Sequence, residues 1–184
     1  MSETKPRPEG RSAIDGMFQL GYLVDALEPA MAQWTRSFGV GPFFVLPPRV
    51  FPELRVDGQP TDRRDIIAGV ALSYVGDTQI ELIVPGEAPS TYSRFLEAGR
   101  SGLHHLGVAS NDFDADRRLL LAQGGIVETE GRSALTRFAY IRGSVVHPGS
   151  IVELVEMGPR IVETFAMIKA ATRHWDRRDP IRFL

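Results

Sequence analysis

The sequence predicts an α+β fold in which two tandem βαβββ modules pair into one curved, cavity-forming sheet, followed by a C-terminal helix. Three observations carry that expectation. A strand-like run, a helix-like run and three short apolar runs follow one another twice along the chain. Gln19-Leu20-Gly21 in the first strand recurs as His105-Leu106-Gly107. Ile80-Glu81-Leu82 in the last strand of the first module recurs as Val152-Glu153-Leu154. The first pair of motifs lies 86 residues apart and the second 72, so the first module carries a net 14 extra residues. The Pro-rich segment around residues 47–63 is the simplest place for them.

Residues 1–15 are polar and rich in Pro, Glu, Lys and Arg, as expected of a loose tail. The first module, 16–85, opens with the aromatic and aliphatic strand Met17 to Val24. Asp25 starts a helix whose apolar positions Met31, Trp34 and Phe38 recur at spacings of three and four, and Gly39 closes it. PFFVL, DIIAGVALSYV and TQIELIV are its three further strands, the last two joined by the tight turn Gly76-Asp77. Residues 86–102 read as a linker with one short helix. The second module, 103–158, has a strand from Leu103 to Ser110, a helix from Asp112 to Gln123, and the strands GIVETE, TRFAYI and SIVELVE. In residues 159–184 an amphipathic helix presents Ile161, Phe165 and Ile168 on one face. The tail beyond it, WDRRDPIRFL, is suited to cover a cavity mouth or to dock on a second subunit.

Composition narrows the function. Hydrophobic content of 43% and charged content of 24% are those of an ordinary globular protein. With 21 basic against 23 acidic residues the net charge is −2, so no basic field recruits nucleic acid or an anionic membrane. A small-molecule substrate is the expected partner. No window approaches the ~20 apolar residues of a spanning helix, and the start lacks the apolar core of a signal peptide, which makes a cytoplasmic location the expectation. The absence of cysteine removes disulfides, thiolate nucleophiles and thiolate zinc sites. Any metal ion must use His, Glu, Asp, Gln or water.

Two duplicated modules paired about a pseudo-twofold axis bring their equivalent positions into one concavity. Gln19, Glu81, His105 and Glu153 are those equivalents, each polar within an otherwise apolar strand. Taken singly, Glu81 and Glu153 read as solvent-facing strand residues, His105 as a hydrogen-bonded core or surface residue, and Gln19 as uninformative. Taken jointly, they predict a divalent-metal site, because buried carboxylates and amides must be compensated and imidazole and oxygen donors suit such an ion. Alternation along the strand turns His104 away from His105, so His104 is expected to be structural or at the rim. His147, before Pro148 in a turn, is expected to pack the turn, with a weaker reading as a pocket residue.

The segments "FQLGYLVDALEPAMAQWTRSFGVGPFF", "TQIELIVP", "GLHHLGVASNDFDA" and "VVHPGSIVELVE" resemble the vicinal oxygen chelate superfamily, the glyoxalase, bleomycin-resistance and dioxygenase group. Within it the chain is most similar to the methylmalonyl-CoA epimerase and lactoylglutathione lyase-like branch. The resemblance implies the same four metal ligands, Gln19, Glu81, His105 and Glu153, and an ion drawn from Co, Ni, Mn, Zn or Fe. It implies an isomerase, epimerase or lyase acting by enolate stabilisation on a small oxo, hydroxy or acyl-thioester substrate, with Glu153 or Glu81 as base, and a homodimer. The epimerase pattern usually has His where this chain has Gln19, and Glu53 is a weak match to the extra acidic base.

Two other readings stand beside it. A ring-cleaving dioxygenase of the extradiol type needs two His and one carboxylate around iron, and only one His is among the four candidates. A non-catalytic binding protein of the resistance type would use an aromatic crevice, for which Trp34, Phe38, Phe43, Phe44 and Tyr74 are candidates, although their helical and strand spacing favours core packing. Arg63-Arg64 and Arg177-Arg178 suit a phosphate or carboxylate but are expected on solvated faces.

Overall fold

The computed structural model describes residues 16–143 and 149–184. The tail 1–15 and His147 lie outside the described residues. The first module consists of β1 (Met17–Leu23), α1 (Leu27–Phe38), β2 (Phe43–Val45), β5 (Ile67–Val75) and β6 (Thr78–Pro85). Between its second and third strands the chain inserts the hairpin β3 (Glu53–Val56) and β4 (Gln59–Pro60). Helix α2 (Thr91–Glu97) occupies the linker, capped by Ser90. The second module is β7 (Gly102–Ser110), α3 (Phe113–Ala122), β8 (Ile126–Arg132), β9 (Arg137–Arg142) and β10 (Ile151–Glu156). Helix α4 (Pro159–Arg173) and a short β11 (Ile181–Phe183) complete the chain.

All the strands join one sheet in the order β11-β2-β5-β6-β1-β7-β10-β9-β8-β3-β4. The modules meet where β1 and β7 pair antiparallel, and each first strand is flanked on its other side by the last strand of its own module, β6 or β10, in parallel. The candidate residues therefore sit on four adjacent strands at the seam. In a flat sheet β5 and β9, five strand spacings apart, would be separated by roughly 24 Å. Instead Leu72 of β5 and Tyr140 of β9 belong to one apolar cluster and wall one cavity, so the sheet curls around that cluster. Helix α4 covers it with Ile168 and Phe165. On the opposite faces α1 packs over Leu20, Tyr22, Ile80 and Leu82, and Phe113 and Leu120 of α3 pack over Val108, Ile141 and Leu154.

The Pro-rich insertion is more ordered than a connecting loop. Asp57 and Gly58 both take positive φ (51° and 74°), the backbone of a primed hairpin turn that Asp-Gly favours. That hairpin reaches across to the second module, where β3 pairs antiparallel with β8 and Leu54 enters the shared core. At the other edge β11 adds in parallel to β2, so the tail extends the sheet. No helix among the described residues is long and apolar enough to cross a membrane.

Candidate metal centre

Gln19, Glu81, His105 and Glu153 come together. His105 Nε2 lies 3.2 Å from Glu153 Oε2, 3.3 Å from Glu81 Oε2 and 3.4 Å from Gln19 Oε1, with all four side chains buried. Glu81, His105 and Glu153 form a group that could hold a metal ion. One imidazole nitrogen carries at most one proton, which cannot satisfy three oxygens at once. Burial would lower the His105 pKa, but hydrogen bonds to Glu153 and Glu81 and their charges outweigh it and raise it to about 9. Burial pushes the Glu81 carboxyl up, the His105 hydrogen bond pulls it down, the Glu153 charge adds to the rise, and the net direction is upward. Three oxygens converging on one nitrogen, two of them carboxylate, fit a divalent cation better than they fit a proton.

Gln19 is aimed rather than free. Its Nε2 donates to Gln79 Oε1 (2.7 Å), and Gln79 Nε2 donates to the Tyr74 hydroxyl (2.8 Å), which turns Gln19 Oε1 toward His105. The glycines of the repeated motif have a steric reason to be there. Gln19 pairs with Gly107 and His105 with Gly21 across the seam. A Cβ on Gly21 would lie 1.9 Å from His105 Cε1, and one on Gly107 would lie 2.3 Å from Gln19 Oε1. Gln19 and His105 each lie in the space left by the other module's glycine.

A bulge precedes each of these two residues. Gly21 pairs with His105 but Tyr22 with Leu103, so His104 is an extra residue in β7; likewise Phe18 is extra in β1. This overturns the alternation expected for the two histidines. Both rings turn to the same side, with Nδ1 atoms 3.1 Å apart, and His104 is buried among Tyr92, Phe95 and Tyr140. Burial, with the charge of His105, lowers its pKa to about 2.

A cavity opens over Glu81 and Glu153. Its aromatic walls are Phe51, Tyr92, Phe138, Tyr140 and Phe165, and its polar ones include Arg49, Ser133, Thr136 and Thr164. About 50 Å³ of it is free, and Leu46, Arg49, Ser133, Leu135 and Thr164 also wall an adjoining apolar groove of about 380 Å³. The expected pocket residues lie elsewhere. Trp34, on α1, contacts Tyr22 and Phe38 against the far face of the sheet, whereas Phe44 and Tyr74 share the sheet face of the cavity residue Leu72 but are taken up by core packing and by Gln79. Glu53 is exposed, 3.9 Å from Arg132, and does not line this cavity. Arg63 pairs with Asp65, and Arg178 stands 3.7 Å from Asp176 at the exposed tail. The cavity's own cation is Arg49, which has no ion pair among the described residues; its place after Pro47-Pro48 in the insertion was the available signal.

A profile of the glyoxalase/bleomycin resistance protein/dioxygenase superfamily matches residues 18–140. The chain belongs to this superfamily. Among solved structures, the Mycobacterium tuberculosis methylmalonyl-CoA epimerase shares 25% identity over 83% of this chain and 94% of its own, with a TM-score of 0.55. A Streptomyces coelicolor methylmalonyl-CoA epimerase variant in complex with 2-nitronate-propionyl-CoA shares 15% identity over 80% and 97%, with a TM-score of 0.56. A hypothetical protein from Bacillus halodurans shares 14% identity over 78% and 94%, with a TM-score of 0.55. These likenesses fit the superfamily fold and its paired modules. No curated protein matches the chain.

Proposed function

We propose that this superfamily member is a divalent-metal-dependent isomerase, epimerase or lyase that moves a proton next to the carbonyl of a small oxo, hydroxy or acyl-thioester acid. The observation that carries this reading is the convergence of the Gln19, Glu81 and Glu153 oxygens on His105 Nε2 in a buried site. Those four residues would hold the ion. When bound, it supplies positive charge against the negative charge that develops on a carbonyl oxygen as the neighbouring carbon loses its proton.

The protein's own groups suit the remaining tasks. Glu81 and Glu153 both wall the cavity, so either can act as base, with the other across the site for the return of the proton. Tyr92 donates its hydroxyl proton to Tyr140 (2.7 Å), leaving the Tyr140 O–H to donate to a substrate oxygen. Arg49 stands at the neck between cavity and groove, where its guanidinium suits a substrate carboxylate. Two Glu, one divalent ion and one Arg sum to +1, a charge that a monoanionic substrate would neutralise in a buried space. The narrow inner chamber suits a compact acid head and the apolar groove a longer tail, as in an acyl thioester. The single imidazole of the cluster disfavours the two-His iron face of a ring-cleaving dioxygenase. A homodimer in the cytoplasm accompanies this reading.

The test is elemental analysis after purification without chelator or affinity metal, on wild type and on a His105→Ala, Glu153→Ala double variant. Near-stoichiometric Co, Ni, Mn or Zn that disappears in the double variant is expected. Iron would favour dioxygenation, and no ion even after incubation would overturn the metal reading.

A further inference from the structure

We propose that His104, which the reaction does not touch, is a positioning residue: it fixes the ring of His105 through a buried hydrogen-bond chain that ends on the Glu128–Arg142 ion pair, and so sets how tightly the site holds its ion. This rests on the metal reading above.

The chain runs inward from the surface. Arg142 Nε donates to Glu128 Oε1 (2.7 Å), and the Thr91 hydroxyl donates to Glu128 Oε2 (2.8 Å). Its only proton committed, Thr91 Oγ1 can act toward His104 Nε2, 3.3 Å away, as an acceptor alone. The Thr91 carbonyl oxygen, 3.5 Å from the same nitrogen, is also an acceptor. The proton of a neutral His104 therefore sits on Nε2, and its Nδ1 presents a lone pair to His105 Nδ1 at 3.1 Å. His105 answers with an Nδ1 proton, which leaves its Nε2 lone pair directed at the oxygens of Glu81, Glu153 and Gln19. Each link has one donor and one acceptor. The arrangement is a carboxylate–His–metal triad lengthened by a threonine and a second imidazole.

Space filling alone does not require a histidine here. The bulge in β1 that matches His104 carries Phe18, whose ring packs on Phe165 of α4. The fold thus accommodates an aromatic hydrocarbon at the twin position. It is the half of the site with an imidazole ligand that has a hydrogen-bonding residue beside it. The bulge is what makes the contact, since in a regular strand His104 would point to the far side of the sheet. Thr91 is the first residue of α2, so the linker between the modules supplies a link of the chain.

The experiment uses Zn²⁺ as the probe. Long-range ¹H–¹⁵N spectra of the zinc-loaded wild type should show two neutral rings, with the proton on Nδ1 of His105 and on Nε2 of His104. A His104 ring protonated at Nδ1, or at both nitrogens, overturns the proposal. Zinc affinity, measured by chelator competition, should fall 10- to 100-fold in His104→Phe, which copies the twin bulge, and largely recover in His104→Gln, whose amide oxygen can accept. Unchanged affinity in His104→Phe overturns this inference and leaves the metal reading standing. Wild type that binds no Zn²⁺ overturns both. Should His104→Phe fail to fold, the wild-type ring spectra decide.

Discussion

Gly21 and Gly107 set the tightest tolerances in the site. A methyl group at Gly21 overlaps the His105 ring, and the backbone of two paired central strands has little room to yield. Gly21→Ala should cost about 1–3 kcal/mol of stability, measured by denaturant unfolding, and weaken ion uptake at least tenfold; a variant with wild-type uptake would show that the ring is free to move. Titration has a definite sign as well. With His105 raised to about 9 in the metal-free site, its Nε2 carries a proton at pH 7 that an ion must displace. Apparent affinity should therefore rise about tenfold per pH unit up to about pH 9 and then level off, with about one proton released per ion at pH 7 in a calorimeter run in two buffers; a flat profile would mean that His105 binds nothing. The sequence made the four polar residues visible through their repeat. It hid the conformation of His104, because regular alternation turns adjacent side chains to opposite faces and the bulge in β7 breaks that alternation.

Among the elements, the β3–β4 hairpin departs furthest from expectation. Its strands have four and two residues, too short for a periodic signal, and the partner strand β8 belongs to the other module. The legible clue was Asp57-Gly58. By reaching across, the hairpin lays Phe51 and Leu54 into the shared core, and Asp57 forms an ion pair with Arg94 of α2. Leu54→Ala should cost about 2–5 kcal/mol by thermal or denaturant unfolding, the range of a leucine removed from a packed core; a cost below 1 kcal/mol would mean that the hairpin is only loosely attached. The edge strand β11 is also a test of function by position. Truncation after Asp179 bares β2, and an uncovered edge invites self-pairing, so light scattering should show more association than in the full chain.

At the scale of the molecule, the duplication was legible because residues at the seam repeat with their neighbours, Gln19-Leu20-Gly21 with His105-Leu106-Gly107. The cavity walls were not, because beside strands of both modules they draw on the insertion, α2 and α4, which have no counterpart in the repeat. All four candidate ligands belong to one chain, so one ion per chain is expected at every protein concentration; a stoichiometry that falls on dilution would point to a site shared between subunits. Ion removal by chelator should lower the melting temperature by linkage, about 2.7 kcal/mol of stabilisation being lost relative to an ion at 100 times its Kd. Two of the ligands come from each module, on either side of the β1–β7 junction. An ion held there would act as a rivet through two halves that otherwise adhere by backbone pairing, shared packing and a few side-chain contacts such as Tyr92–Tyr140 and Asp77–Lys169. A chain cut within residues 98–101 should then hold together as two fragments whose mutual affinity rises and falls with free metal, making assembly itself a gauge of the ion.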